Sequence, residues 1–123
     1  MSILDTEISR AAEAVRNAKS ALVVTHIDAD GICAGAVASR TLDALSISHE
    51  VRFLKKLDEP AAAALRSEER LIWFTDLGSG QLPLLKGLNA IISDHHVPSG
   101  GVEPTAAQKM DLTRLADALD SVD

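Results

Sequence analysis

Seven side chains of the types that bind metal ions fall in three places along this sequence: His26, Asp28 and Asp30, then Asp76, then Asp94, His95 and His96. Each group follows a short apolar run, so each sits where a buried strand ends. Four aspartates brought together repel one another strongly, and a cation removes that repulsion. Aspartate and histidine without cysteine thiolate fit manganese, magnesium or a similar divalent ion better than a structural zinc. A carboxylate lying between two ligand clusters, such as Asp76, suits bridging of two ions. Two ions about 3.5–4 Å apart can activate a water and stabilise the leaving oxygen of a phosphoryl displacement. Singly, each motif also has an ordinary structural use. Asp28-Ala29-Asp30-Gly31 reads equally as a turn with a helix N-cap, Asp76-Leu77-Gly78 as a strand-ending turn, and paired histidines as surface residues. The three motifs become specific only in combination, through their shared position at strand ends.

The elements that must position these groups can be read from periodicity. Ile8, Ala11, Ala12, Val15 and Ala18 have helical spacing and predict an amphipathic helix over residues 5–20. Ala21 to Thr25 is the first strand. A helix from Gly31 to Leu45 follows, with Ala34, Gly35 and Ala38 allowing close approach to a sheet and Cys33, Val37, Leu42 and Leu45 as its apolar face. Cys33 is expected to pack in the core, as free cysteines commonly do. Ser48 to Leu54 is the second strand, with Val51 and Phe53 on one face and His49 as a surface residue at its start. Lys55-Lys56 just beyond it read as a solvated strand end or as a phosphate contact. Glu59 to Arg70 holds a short helix with Pro60 in its first turn. Leu71 to Thr75 and Asn89 to Ser93 are the third and fourth strands, with a brief helix over Gln81 to Lys86 between them. Val97 to Pro104 is a loop, and a helix over about 105–120 closes the chain.

Helices alternating with apolar strands predict a three-layer α/β fold: a mostly parallel sheet of four strands or slightly more, covered by helices on both faces. Right-handed crossovers then bring the carboxyl ends of all strands to one edge, where ligands bind in such folds. At 123 residues the chain is read as a single domain. It has no apolar run long enough for a membrane span and no basic-then-apolar leader pattern. The single cysteine excludes an intramolecular disulfide framework and suits a reducing cytoplasm. A formal net charge of −6 argues against a general basic coat for nucleic acid. It leaves open nucleic acid held at a metal centre. The twelve-residue EF-hand loop and the G-x-G-x-x-G dinucleotide signature are absent.

His26-Ile27-Asp28-Ala29-Asp30-Gly31, Phe74-Thr75-Asp76-Leu77-Gly78-Ser79-Gly80 and Ser93-Asp94-His95-His96, in that order, resemble the first three motifs of the DHH phosphoesterase superfamily. The likeness is to its archaeal RecJ-like branch, which includes single-strand exonucleases and accessory proteins of the replication helicase. It runs from about residue 20 to residue 98. The resemblance implies a manganese- or magnesium-dependent phosphoesterase that cleaves phosphodiesters of single-stranded nucleic acid or small nucleotides through a metal-activated water. His26, Asp28, Asp30, Asp76 and His95 would be the metal ligands, with Asp76 bridging two ions. His96 would contact the substrate phosphate, and Asp94 would orient the histidines.

The chain departs from the pattern of this superfamily after His96. The fourth-motif aspartate and the glycine-rich C-terminal substrate domain (the DHHA1 type) are not reproduced in the residues that follow. A truncated DHH-type domain with an incomplete second metal site is therefore expected. Three readings compete: a minimal phosphoesterase, a catalytically degenerate module that binds a replication or repair protein, and a fragment of a larger nuclease. A domain lacking half of its usual core would expose apolar surface, so a homo-oligomer is also expected.

Overall fold

A computed structural model describes residues 3–94. His95, His96 and the expected closing helix lie outside these residues. The elements run α1 (Ile3–Asn17), β1 (Ser20–His26), α2 (Ala29–Ala44), β2 (Ser48–Leu54), α3 (Glu59–Leu65), β3 (Leu71–Thr75), a 3-10 segment (Ser79–Leu85) and β4 (Ala90–Ser93). The four strands form one sheet in the order β2-β1-β3-β4, and every pair is parallel. The expected three-layer α/β architecture is present.

Side-chain alternation along the strands sorts the core into two layers. Ala21 and Val23 of β1 and Leu71 and Trp73 of β3 face α1 and α2, where they pack with Ile8, Ala12, Val15, Ala38 and Leu42. Leu22, Val24, Ile72 and Phe74 face the other way, onto Leu57, Leu65, Leu77 and Leu85. Both faces of β1 and β3 are covered, which is why these strands read as continuous apolar runs. Trp73 is almost fully buried, and its indole Nε1–H donates to Ser93 Oγ at 2.9 Å, so the polar end of the ring is satisfied inside the core.

Several expectations are corrected. Cys33 is exposed. The face of α2 turned to the sheet is Gly31, Gly35, Ala38 and Leu42, because small residues let the helix approach β1 closely. Cys33 lies off that line, and Val37 is 42% exposed for the same reason. Phe53 does lie on the same side as Val51, but β2 is an edge strand and leaves it 45% exposed. His49 is half-buried rather than a plain surface residue. Its Nδ1–H donates to the Ile47 carbonyl at 2.9 Å, and its Nε2 accepts from Ser39 Oγ at 2.7 Å. The segment after β3 is 3-10 from Ser79, with a break at Gln81, instead of a helix over 81–86. Pro83 inside it has no N–H for a continuous helical ladder.

At the amino edge of the sheet, Arg70 ties the loop before β3 to β2. Its guanidinium binds Glu68 with Nε at 2.7 Å and Nη2 at 2.8 Å and reaches Glu50 on β2 at 3.2 Å. The Arg70 side chain and backbone N–H hold the Glu68 carboxyl down to about 2. A depressed carboxylate contributes stability above its unfolded value, and that contribution disappears as pH falls through the folded one. Glu68→Gln should therefore lower Tm by a few degrees at pH 7, from about 1 kcal/mol or less for a partly solvated pair. The gap to wild type should close between pH 4.5 and about 2, as read by thermal denaturation across that range.

Candidate metal centre

Parallel pairing brings the ends of β1, β2 and β3 side by side. His26 pairs with Leu54 in register, so Lys55 is the next residue beyond it, and Thr25 pairs with Thr75, so Asp76 follows directly. His26, Asp28 and Asp76 each offer a ligand atom within 4.8 Å of the others'. Two like charges that close repel about four times more strongly at the effective dielectric of a protein surface than in bulk water. A cation between them converts that repulsion into attraction.

Each candidate ligand is held by a different local device. Asp28 is the N-cap of α2: its Oδ1 accepts the Gly31 N–H at 2.8 Å. Its Oδ2 lies 2.7 Å from His26 Nδ1. One side chain thus serves as both helix cap and candidate ligand, so the two readings of this motif are compatible. Capping by the Gly31 N–H, and then the His26 ring, hold the Asp28 carboxyl below its ordinary value. The Asp28 side chain, followed by the Lys55 carbonyl, raises the pKa of His26. That carbonyl can only accept, so His26 Nε2 carries a proton and donates to it at 2.8 Å. Nδ1 donates to Asp28 Oδ2 here and faces the carboxylates, so it is the nitrogen that would give up its proton to a metal. Gly31 is required here, because a Cβ would run into the backbone carbonyl of His26.

Asp76 reaches the group through an unusual backbone. Its φ of 59° lies in the left-handed region, which aspartate tolerates better than most residues. Its N–H still continues the sheet ladder to Ser93 O at 3.0 Å. Gly78, with φ of 116°, completes the reversal, and a Cβ there would press on Ile92. Asp76 is consequently buried, with only 7% of its surface exposed.

Asp94 is buried beside this turn. Its Oδ2 accepts from Ser79 Oγ at 2.6 Å and from the Ser79 N–H at 3.2 Å, which locks the turn after β3 to the end of β4. Asp30 is exposed in the first turn of α2 and stands outside the group of three. Thr25 and Ser79 were not singled out by sequence. Thr25 had a signal, as a polar residue closing an otherwise apolar buried strand. Ser79 fell within the second motif, but its role did not show, since its partner lies fifteen residues away. A cleft of about 280 Å³ opens over the group, and Lys55, Lys56, Gly80 and Gln81 line it together with the acidic side chains. One imidazole nitrogen and two carboxylates suit a hard or borderline divalent ion, and the group contains no thiolate.

No protein-family profile matches the chain, and no curated protein matches it in sequence. Solved structures do. The fold is similar to that of exonuclease RecJ bound to manganese, with a TM-score of 0.70 and 21% identity over 98% of this chain and 38% of that one. It is also similar to RecJ from Thermus thermophilus in complex with Mn2+, with a TM-score of 0.70 and 24% identity over 94% of this chain and 21% of that one. The chain therefore spans well under half the length of either structure.

The double duty of Asp28 can be separated by substitution. Asp28→Ala should lower the urea midpoint by roughly 0.5 M through the lost cap, whereas Asp28→Asn, which still caps, should leave it close to wild type. Urea unfolding of the two variants in metal-free buffer measures the difference.

Proposed function

We propose that this chain carries the metal centre of a DHH-type phosphoesterase. In this proposal it acts with Mn2+ or Mg2+ on phosphodiester bonds of single-stranded nucleic acid or small nucleotides. The observation that carries the proposal is the gathering of His26, Asp28 and Asp76 at the carboxyl edge of a sheet whose fold is similar to two manganese-bound RecJ structures. His26 through Nδ1, Asp28 and Asp76 would hold the ion. Asp30, exposed at the start of α2, and His95, next in the chain after Asp94, would complete the ligand set. When bound, divalent ions supply an activated water and neutralise charge on a phosphodiester.

The protein's own contributions follow from the cleft. Asp76 is buried and fixed by its left-handed backbone, so it needs little reorganisation to engage a cation. The Lys55 carbonyl fixes the orientation of the His26 ring, with Nε2 held away from the carboxylates and Nδ1 toward them. Lys55 and Lys56 line the same cleft as the acidic group, and their ammonium groups would bind the non-bridging or neighbouring phosphate oxygens of a substrate. Lys56 already balances a half-buried acid, Asp58, at 3.7 Å, and an arriving phosphate would compete for it. Asp94 would act on the site through Ser79, by keeping the Asp76 turn closed. His96 would contact the substrate phosphate.

Manganese titration and a hydrolysis assay on single-stranded DNA, RNA and dinucleotides test this proposal. Manganese-dependent product release that Asp76→Ala abolishes is the expected result. Lys55→Ala with Lys56→Ala should raise KM about tenfold with little change in kcat, the worth of one charge-assisted contact. Binding of manganese without hydrolysis of any of these substrates would instead favour a non-catalytic module. No manganese binding at all would remove the basis of the proposal.

A further inference from the structure

We propose that Thr25 is a positioning residue that sets the distance between the two carboxylate-bearing loops of the metal centre. This rests on the metal-centre proposal above. Thr25 is fully buried at the end of β1, the strand between β2 and β3. Its hydroxyl lies 2.7 Å from the Gly31 carbonyl and 2.9 Å from the Thr75 carbonyl, and donates its one proton between them. Each of these carbonyls belongs to a ligand-bearing segment. Gly31 is the residue that Asp28 caps, and Thr75 directly precedes Asp76.

The connection matters because ordinary strand geometry stops there. Thr75 is the last residue of β3, and Asp76 has already turned into the left-handed region. The Thr25 hydroxyl holds the Thr75 carbonyl at that point and joins it to the first turn of α2. The methyl of the same side chain meets α2 at Gly35, where an added Cβ would come within 2.9 Å of Thr25 Cγ2. One residue therefore fixes both the height of α2 above the sheet, through its methyl, and the reach between Asp28 and Asp76, through its hydroxyl. The neighbouring Thr75 hydroxyl provides a built-in contrast. It is also fully buried, yet has no hydrogen-bond partner among the described residues.

These two roles of Thr25 separate cleanly in variants. Thr25→Val keeps the shape and methyl and loses the hydroxyl, while Thr25→Ser keeps the hydroxyl and loses the methyl. Manganese affinity, read by electron paramagnetic resonance of the free ion, should fall about 10- to 100-fold in Thr25→Val, the usual cost of losing a group that orients metal ligands. Thr25→Ser should bind within about threefold of wild type, and so should Thr75→Val, which removes the hydroxyl that makes no such link. Circular dichroism and thermal melting check that each variant is folded. Wild-type affinity in a folded Thr25→Val overturns this proposal alone. If Thr25→Val does not fold, Thr25→Ser decides, because weakened binding there assigns the role to the methyl and overturns the proposal. Failure of the wild type to bind manganese overturns the metal-centre proposal and this one with it.

Discussion

Parallel pairing of β1 with both β2 and β3 is the constraint on which the rest of this molecule depends. In a parallel sheet all strands end at the same edge, so polar residues that directly follow separate apolar runs must meet there. β1 lies in the interior of the sheet, between two neighbours, and both of its faces are buried. The His26–Asp28 loop is therefore held from three sides: by the Lys55 carbonyl after β2, by the Thr25 hydroxyl toward β3, and by the α2 backbone it caps. A slip of one residue in the β1–β3 register would turn Thr25, Thr75 and the core side chains to the wrong faces together.

Two opposing needs are reconciled at this edge. Carboxylates close enough for a cation to lie between them repel one another without it. The structure limits that cost by giving the acidic groups other partners. Asp28 has the Gly31 N–H and the His26 ring, and Asp94 has the Ser79 hydroxyl and N–H. Asp76 is the most constrained of the three clustered residues, buried and held in a left-handed backbone. Concentrating backbone strain at a residue of this kind is common at functional sites, where packing elsewhere sustains it. Here the two-layer core around Trp73 and Phe74 supplies that packing.

The same packing explains which apolar residues stay outside. α2 meets the sheet through Gly31, Gly35, Ala38 and Leu42, so Ile32 and Val37, which lie off that face, are turned to solvent. Ile27, in the loop that holds His26 and Asp28, is also half-exposed. The sheet edge at β2 adds Phe53 to this surface.

Fold class, strand order in the chain and the gathering of His26, Asp28 and Asp76 at one edge were legible in the sequence. Apolar runs of strand length, separated by helical spacing and ended by aspartate or histidine, allow few other arrangements. The exposure of Cys33, Val37 and Phe53 was not legible, because helix periodicity does not say which face a sheet will accept, nor strand alternation which strand will be at the edge. Nor were the contacts made by Thr25, Ser79 and the Lys55 carbonyl. Each joins residues that no local pattern relates, across 50, 15 and 29 positions. Residue type alone thus determined what chemistry the edge can support, since donor atoms and charge belong to the side chain itself. Only tertiary structure decided how far apart those donors stand and which nitrogen of His26 faces them, because hydrogen bonds between distant segments set both.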